Sequence, residues 1–344
     1  MLPFLLFNDF DMIRIGIISP SDIALRRFLP ALTLIPDFKF VGVAIADKTE
    51  WEGANNDVIS KEENKAKLFI EQYGGKLFKS YKSLINSDET DAIYLPLPPA
   101  LHYNWGKQAL AAGKHILLEK PATTLLENTG KIIELAKSKS LAVHENYMFA
   151  FHNQLKAIND VIKSGEIGDV RLYRISFGFP RRASNDFRYN KALGGGALLD
   201  AGGYTIKYAS MLLGESAKIV QAQSNFIDEF EVDIAGSAVM VNENGITAQI
   251  AFGMDNSYKC DLEVWGSKGS LFTGRVLTAP TGFVPELIIM TGNETKTHKL
   301  PADDAFKKSI LLFKQCIEGD TARMNNYKTI LKQAQLVNQF TEKV

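Results

Sequence analysis

The sequence predicts a doubly wound parallel α/β sheet followed by an α+β unit built on an open, mainly antiparallel sheet. Three observations carry this. Up to residue 146, short apolar runs alternate with helical segments, the pattern of parallel strands covered on both faces. Beyond residue 150, longer stretches alternate apolar and polar residues with period two, broken by turn signals such as Asn242-Glu243-Asn244-Gly245. A length of 344 residues, 46% of them hydrophobic, also exceeds what one ordinary core encloses. The expected boundaries are 12–146 for the first domain and 147–344 for the second, which takes the C-terminal helices.

In the first domain, Ile13–Ile18 reads as a buried strand and Ile23–Leu34 as a helix ending near Pro36, which cannot continue it. Phe40–Ala46 is the second strand, and the polar run Trp51–Glu63 reads as a loop. A helix over Lys65–Tyr73 stops at Gly74-Gly75, before a short strand at Lys76–Phe78. Strands at Asp91–Leu95 and Ile116–Leu118 flank a helix at Leu101–Ala112 that Gly113 caps. A helix at Lys131–Lys137 and a strand at Leu141–Glu145 complete the alternation.

In the second domain, a helix at Asn153–Ser164 precedes a long strand at Val170–Phe179, and a helix at Ala197–Leu213 follows three glycines. Strands are expected at Lys218–Phe226, Ile234–Val241, Ile246–Phe252, Tyr258–Trp265 and Glu286–Met290, then helices at Ala305–Glu318 and Asn326–Lys343. These helices cover one sheet face. The other has nothing in the sequence to cover it, so a homodimer or homotetramer through that sheet is expected.

Composition narrows the function. Lys and Arg number 39 against 39 Asp and Glu, a balance that argues against nucleic-acid and membrane-surface partners. The two cysteines, Cys260 and Cys316, make neither a disulfide framework nor a zinc site, and read as reduced thiols of a cytoplasmic protein. No apolar run is long enough to span a bilayer. The apolar stretch Leu2–Phe7 lacks the basic flank and cleavage site of a signal peptide, so Met12 is expected as the native start and residues 1–11 as upstream read-through. No His, Cys or Asp cluster has metal-ligand spacing, and no metal is expected.

Five segments carry chemistry. The turn after the first strand runs Gly16-Ile17-Ile18-Ser19-Pro20-Ser21-Asp22-Ile23-Ala24. Small Ser19 and Ser21 would let the backbone approach a pyrophosphate held at the helix N-terminus, with Gly16, Asp22 and Ile23 beside them; an ordinary tight turn is the alternative. Asp47, just past the second strand, stands where an acid binds adenosine ribose hydroxyls, or else it simply opens a polar loop. Lys48 is the one residue there able to meet a 2′-phosphate, so NAD and NADP both stay open with a lean to NAD. Glu119-Lys120-Pro121 and Pro96-Leu97-Pro98 both follow strands at the carboxyl edge of the sheet, where ligands of such folds bind. Finally, Gly194-Gly195-Gly196 opens a helix on which Asp200 and Tyr204, four apart, share a face.

With these residues in place, the sequence resembles the glucose-fructose oxidoreductase, inositol dehydrogenase and rhizopine-catabolism (Gfo/Idh/MocA) family over essentially its whole length. The Glu-Lys-Pro segment, followed by Asp200-Ala201-Gly202-Gly203-Tyr204, carries the likeness. Within the family it is most similar to nucleotide-sugar 3-ketoreductases, through Ser21–Ala31, Pro96-Leu97-Pro98 and Asp186-Phe187-Arg188-Tyr189. It departs at Ser19, where the family has glycine, and at Ile45-Ala46, where NADP-dependent relatives carry Ser-Arg.

The resemblance implies a Rossmann domain and NAD(P)-dependent hydride transfer to or from a sugar carbonyl or hydroxyl, with reduction of a nucleotide-linked ketosugar as its leading form. Lys120 and Tyr204 would flank the carbonyl, Tyr204 donating the proton and Lys120 lowering the phenol's pKa. Asp200 would orient Lys120 or a sugar hydroxyl. His102 would line the nicotinamide pocket, and Arg188 would hold the cofactor or a diphosphate, for which Arg181 and Arg182 are further candidates. His144-Glu145-Asn146, at a strand's carboxyl end, is the remaining segment of interest. Oxidation of a free sugar, an inositol or a trans-dihydrodiol, and a non-catalytic cofactor-binding regulator, are the alternatives.

Overall fold

Six parallel strands form the first sheet: β1 (Ile13–Ile18), β2 (Phe38–Ala44), β3 (Lys76–Phe78), β4 (Ala92–Leu95), β5 (His115–Leu118) and β6 (Val143–Glu145). This structure, a computed structural model, describes residues 12–51 and 54–344. The reading of residues 1–11 as upstream sequence lies outside the described residues. The strand order β3-β2-β1-β4-β5-β6 reverses between β1 and β4, which makes the carboxyl ends of these two strands the switch point of the sheet. All four residues of β4 and the last four of β1 are buried, as strands covered on both faces must be.

One helix is longer than expected. Asn55 accepts the amide of Val58 at 2.9 Å and starts the helix Asn56–Tyr73 well before Lys65, so most of the run expected as a loop is helical. Its apolar positions are sparse on that first turn, so periodicity missed it and the cap set the boundary.

The second sheet has eight strands: β7 (Val170–Gly178), β8 (Lys218–Asn225), β9 (Ala235–Val241), β10 (Thr247–Gly253), β11 (Lys259–Gly266), β12 (Gly269–Gly274), β13 (Glu286–Thr291) and β14 (Glu294–Lys299). Their order is β14-β13-β12-β11-β7-β10-β9-β8, with β7 and β10 the parallel pair in an otherwise antiparallel sheet. Two of these strands were not expected. β14 is exposed at every residue and so has no apolar alternation to read, while β12 is short and bounded by glycines.

The helix Gly203–Leu213 packs on β7 and β10. The C-terminal helices, expected with the second domain, serve both cores. Phe306, Ile310, Phe313 and Cys316 of Ala305–Glu318 join Ile15 and Ile17 beneath the first sheet. Tyr327 and Ile330 of Asp320–Thr341 cover its other side, while Leu336 and Phe340 enter the second core. The two sheets are therefore fixed against each other by shared helices. The second sheet's outer face exposes Val220, Trp265, Phe272 and Met290, with Arg174 lying 5.7 Å from the Trp265 ring.

Candidate active site

The first turn keeps a glycine-like backbone without a glycine. Ser19 has φ +72°, a left-handed conformation that most side chains disfavour. Its amide bonds the Ala44 carbonyl at 2.9 Å, and Ser21 then caps the helix start by accepting the Ala24 amide at 3.3 Å. The amides of Asp22 and Ile23 find no acceptor among the described residues, so they are available to an anion at this helix start. Gly16 leaves room for a neighbour instead: a Cβ there would lie 2.5 Å from Leu84 Cδ1, and the Leu84 side chain would have to shift. We expect Ser19→Gly to be tolerated and Ser19→Val, β-branched at positive φ, to cost about 1–2 kcal/mol in urea unfolding.

At the second strand's end, Asp47 Oδ1 accepts the amide of Thr49 at 2.7 Å, the Thr49 hydroxyl at 2.6 Å and the amide of Glu50 at 3.1 Å. These bonds, led by the Thr49 hydroxyl, hold its carboxyl below the ordinary value. One oxygen of Asp47 is thus engaged in its own turn. Lys48 is exposed and has no acidic partner among the described residues.

The Glu-Lys-Pro loop leaves β5 and meets the glycine-rich loop of the second domain. Lys120 Nζ donates to Asp200 Oδ1 at 2.7 Å and to the Asp200 carbonyl at 2.9 Å, and lies 5.0 Å from the centroid of the Tyr204 ring. Arg188 Nε donates to the other Asp200 oxygen at 2.6 Å, and its Nη1 pairs with Asp186 at 3.2 Å. Burial pushes the Asp200 carboxyl up, but Lys120 and Arg188 overrule it and hold the group well below the usual carboxylate range. Gly194 lets the glycine-rich loop approach the start of the helix Pro99–Ala111: a Cβ on Gly194 would lie 2.9 Å from the Ala100 amide nitrogen. Asp200 sits in a π-helical turn, Leu198–Gly202, that runs into the helix bearing Tyr204, so both residues reach Lys120 although the turn is not α-helical. Asp233 anchors that helix start by accepting the Leu198 amide at 2.7 Å, and burial raises its carboxyl to about 6.

The phenol behaves differently from the expectation. Tyr204 is packed edge-on against Tyr147 and Phe177, at 5.2 and 5.4 Å, with Phe149 at 5.7 Å. Burial, reinforced by Glu119 and Asp200, pushes its pKa well above the ordinary value rather than lowering it. The resemblance pairs Lys120 with Tyr204 and helical spacing places Asp200 on the same face, but neither shows the surrounding rings or Glu119.

His102 is completely buried, with Nδ1 2.8 Å from the Pro121 carbonyl and Nε2 2.8 Å from that of Leu97. It therefore ties the Pro96-Leu97-Pro98 segment to the Glu-Lys-Pro loop, and its ring has no free nitrogen to line a pocket. Glu119 Oε1 accepts from the Tyr94 hydroxyl at 2.6 Å and from Asn146 Nδ2 at 2.7 Å. Asn146 is held in turn by Ser309 at 2.8 Å, which also meets His144 Nε2 at 2.8 Å. Glu145 Oε1 accepts the amide of Ala122 at 2.8 Å. The His144-Glu145-Asn146 strip is thus the floor under the Glu-Lys-Pro loop, a role that its place at a strand's carboxyl end hinted at. Among the described residues, no three His, Cys, Asp or Glu side chains gather as metal ligands would.

Free helix-start amides at the switch point of the parallel sheet, with a lysine from the loop after β5 held against an aspartate and a tyrosine of the second domain, are the arrangement of a dinucleotide-dependent oxidoreductase. Comparison with known proteins agrees. Residues 39–147 match the model of an oxidoreductase family with an NAD-binding Rossmann fold, and residues 155–272 match the GFO/IDH/MocA C-terminal domain. The chain is 36% identical over 326 residues to a dTDP-3,4-didehydro-2,6-dideoxy-alpha-D-glucose 3-reductase of Actinomadura kijaniata, covering 95% of this chain and 94% of that one. It is 35% identical to the reductase of the same name from Streptomyces violaceoruber, covering 95% of this chain and 94% of that one. A crystal structure of a 3-ketoreductase from A. kijaniata, in complex with NADP and TDP-benzene, superposes with a TM-score of 0.88 at 36% identity, covering 96% of this chain and 98% of that one. That enzyme has also been solved as a variant of one lysine and as a variant of one tyrosine. The chain belongs to the GFO/IDH/MocA family and is an NAD(P)-dependent oxidoreductase.

Proposed function

We propose that this enzyme reduces the keto group of a nucleotide-linked deoxysugar, with NADPH as the hydride source. The observation that carries the reading is the Lys120 ammonium, fixed by Asp200 against the Tyr204 ring at the mouth of the crevice. The nicotinamide supplies the hydride when bound, and a ketone that accepts it develops negative charge on oxygen. Tyr204, protonated at neutral pH as any phenol is, donates a proton to that oxygen. Lys120 steadies the developing charge beside it. Asp200 holds Lys120 in place, and Arg188 completes the neutralisation of Asp200.

Toward the cofactor, the amides of Asp22 and Ile23 suit the pyrophosphate, with Gly16, Ser19 and Ser21 shaping the turn. Pro96, Leu97, Pro98 and Glu119, which follow β4 and β5 at the same sheet edge, would lie beyond it toward the nicotinamide. The lean to NAD finds no support. The similar ketoreductase binds NADP, one Asp47 oxygen is engaged in its own turn, and Lys48 offers its charge to a 2′-phosphate. Among the arginines suggested for the diphosphate, Arg181 is neutralised by Glu229 and Asp255, and Arg188 by Asp186 and Asp200. Arg182, stacked 5.3 Å from the Phe179 ring, is the one whose charge is uncommitted among the described residues.

The test is titration of the purified protein with NADPH and with NADH, followed by NADPH oxidation against nucleotide ketosugars and free sugars. Tighter binding of NADPH and turnover with the nucleotide-linked ketone support the reading. Turnover with free sugars alone, or preference for NADH, overturns it. We further propose that the enzyme works in the cytoplasm, where its two buried thiols stay reduced, and that the outer sheet face meets a second copy. No described helix is long and apolar enough to cross a membrane. Trp265→Glu on that face is expected to shift the sedimentation coefficient to that of a monomer; an unchanged oligomer would place the interface elsewhere.

A further inference from the structure

Glu145 and Lys207 are two charged side chains that the chemistry above does not use, and they are only 7% and 8% exposed. They come from opposite halves of the molecule. Glu145 ends β6, and its Oε1 accepts the amide of Ala122, two residues past Lys120. Its Oε2 is buried without a partner among the described residues. Lys207 lies on the helix Gly203–Leu213, one turn beyond Tyr204. Its ammonium makes one long bond, 3.5 Å to the Thr329 carbonyl, and sits 5.7 Å from the centroid of the Tyr147 ring. That ring packs edge-on against Tyr204 at 5.2 Å, and its hydroxyl accepts from Gln333 Nε2 at 3.3 Å.

Among the described residues, Lys207 is the foremost cation acting on Glu145 and Glu145 the foremost anion acting on Lys207, with Lys120 acting on the first and Lys332 on the second. Two opposite charges buried this deeply without direct contact return little net stability, because the loss of hydration exceeds their attraction. Their connections are more telling. The carboxylate grips the backbone just after Lys120, and the ammonium extends from the helix that carries Tyr204 and lies over the ring wedged against that phenol.

We infer that Glu145 and Lys207 act as a positioning pair, holding the Lys120 loop and the Tyr204 helix in register across the boundary between the two sheets. The inference rests on the roles proposed for Lys120 and Tyr204. Neither residue of the pair touches the reacting atoms; each acts through backbone or ring contacts.

The test compares Glu145→Gln, Lys207→Met and the double variant with wild type, reading kcat, KM for the dTDP-ketosugar, NADPH affinity and thermal midpoint. Glu145→Gln keeps an acceptor for the Ala122 amide and so isolates the charge. Each single variant is expected to lose about tenfold in kcat, with KM and NADPH affinity within about threefold of wild type. The double variant leaves no uncompensated buried charge, so its thermal midpoint recovers above either single variant. Its kcat nevertheless stays within about threefold of the singles, because the register is still lost. A wild-type kcat per folded molecule in either single variant, or a kcat that recovers together with stability in the double, overturns the inference. A wild type that reduces no ketosugar fails at the underlying reading instead, and the inference falls with it.

Discussion

Lys120→Met is expected to lower kcat for ketosugar reduction by about 100-fold to 1,000-fold, the range over which positioned acid–base and charge-stabilising groups contribute. The variant should still fold. Arg188 remains on Asp200 at 2.6 Å, so the carboxylate is not left alone, and methionine fills much of the lysine's volume. Tyr204→Phe is expected to fall in the same range with little change in stability, since its ring contacts with Tyr147, Phe149 and Phe177 persist. Steady-state kinetics with thermal melts on the same samples check both. A Lys120→Met enzyme that turns over as fast as wild type removes the proposed mechanism.

The second large effect concerns stability. Asp200→Ala leaves Lys120 and Arg188, only 12% and 21% exposed in their side chains, facing each other without an anion between them. Breaking a buried charge cluster from one side costs about 3–5 kcal/mol, so urea unfolding should shift by that much at neutral pH. The pH dependence has a definite sign. The Asp200 carboxyl is held well below its ordinary value, so the unfolded chain binds its proton more readily than the folded one. Its contribution is complete above about pH 4 and is lost progressively as the pH falls below that. The gap between wild type and Asp200→Ala should therefore narrow at about pH 3. A gap that widens on acidification would mean that Asp200 is not the stabilising anion.

What was legible in the sequence is what local spacing encodes. The apolar runs of β1 and β4 and the period-two alternation of β9 and β10 follow from burial on two faces or on one, and both were readable. Helical spacing put Asp200 and Tyr204 on one face, and the family resemblance, not any local pattern, joined Lys120 to them. The partners that tune this set were not readable. Tyr94, Asn146 and Ser309 support Glu119 from three separate elements, and Ser309 comes from a helix more than 160 residues past Asn146. No short-range pattern reports such contacts. The same blindness reversed the sign expected for the Tyr204 pKa, because its rings and Glu119 arrive from three other segments. Ser19 shows the opposite limit: the absent glycine was visible, but not that the backbone keeps the glycine's conformation regardless.

The central claim is hydride transfer from the nicotinamide to a sugar ketone. The measurement that tests it most directly uses NADPH deuterated at the transferable position of its nicotinamide C4, with a dTDP-linked 3-ketosugar and analysis of the product by mass spectrometry. One deuterium is expected on the sugar carbon that gains the hydroxyl, formed by the wild type and strongly slowed in Tyr204→Phe. A sugar recovered unreduced, or reduced without deuterium on that carbon, would contradict it.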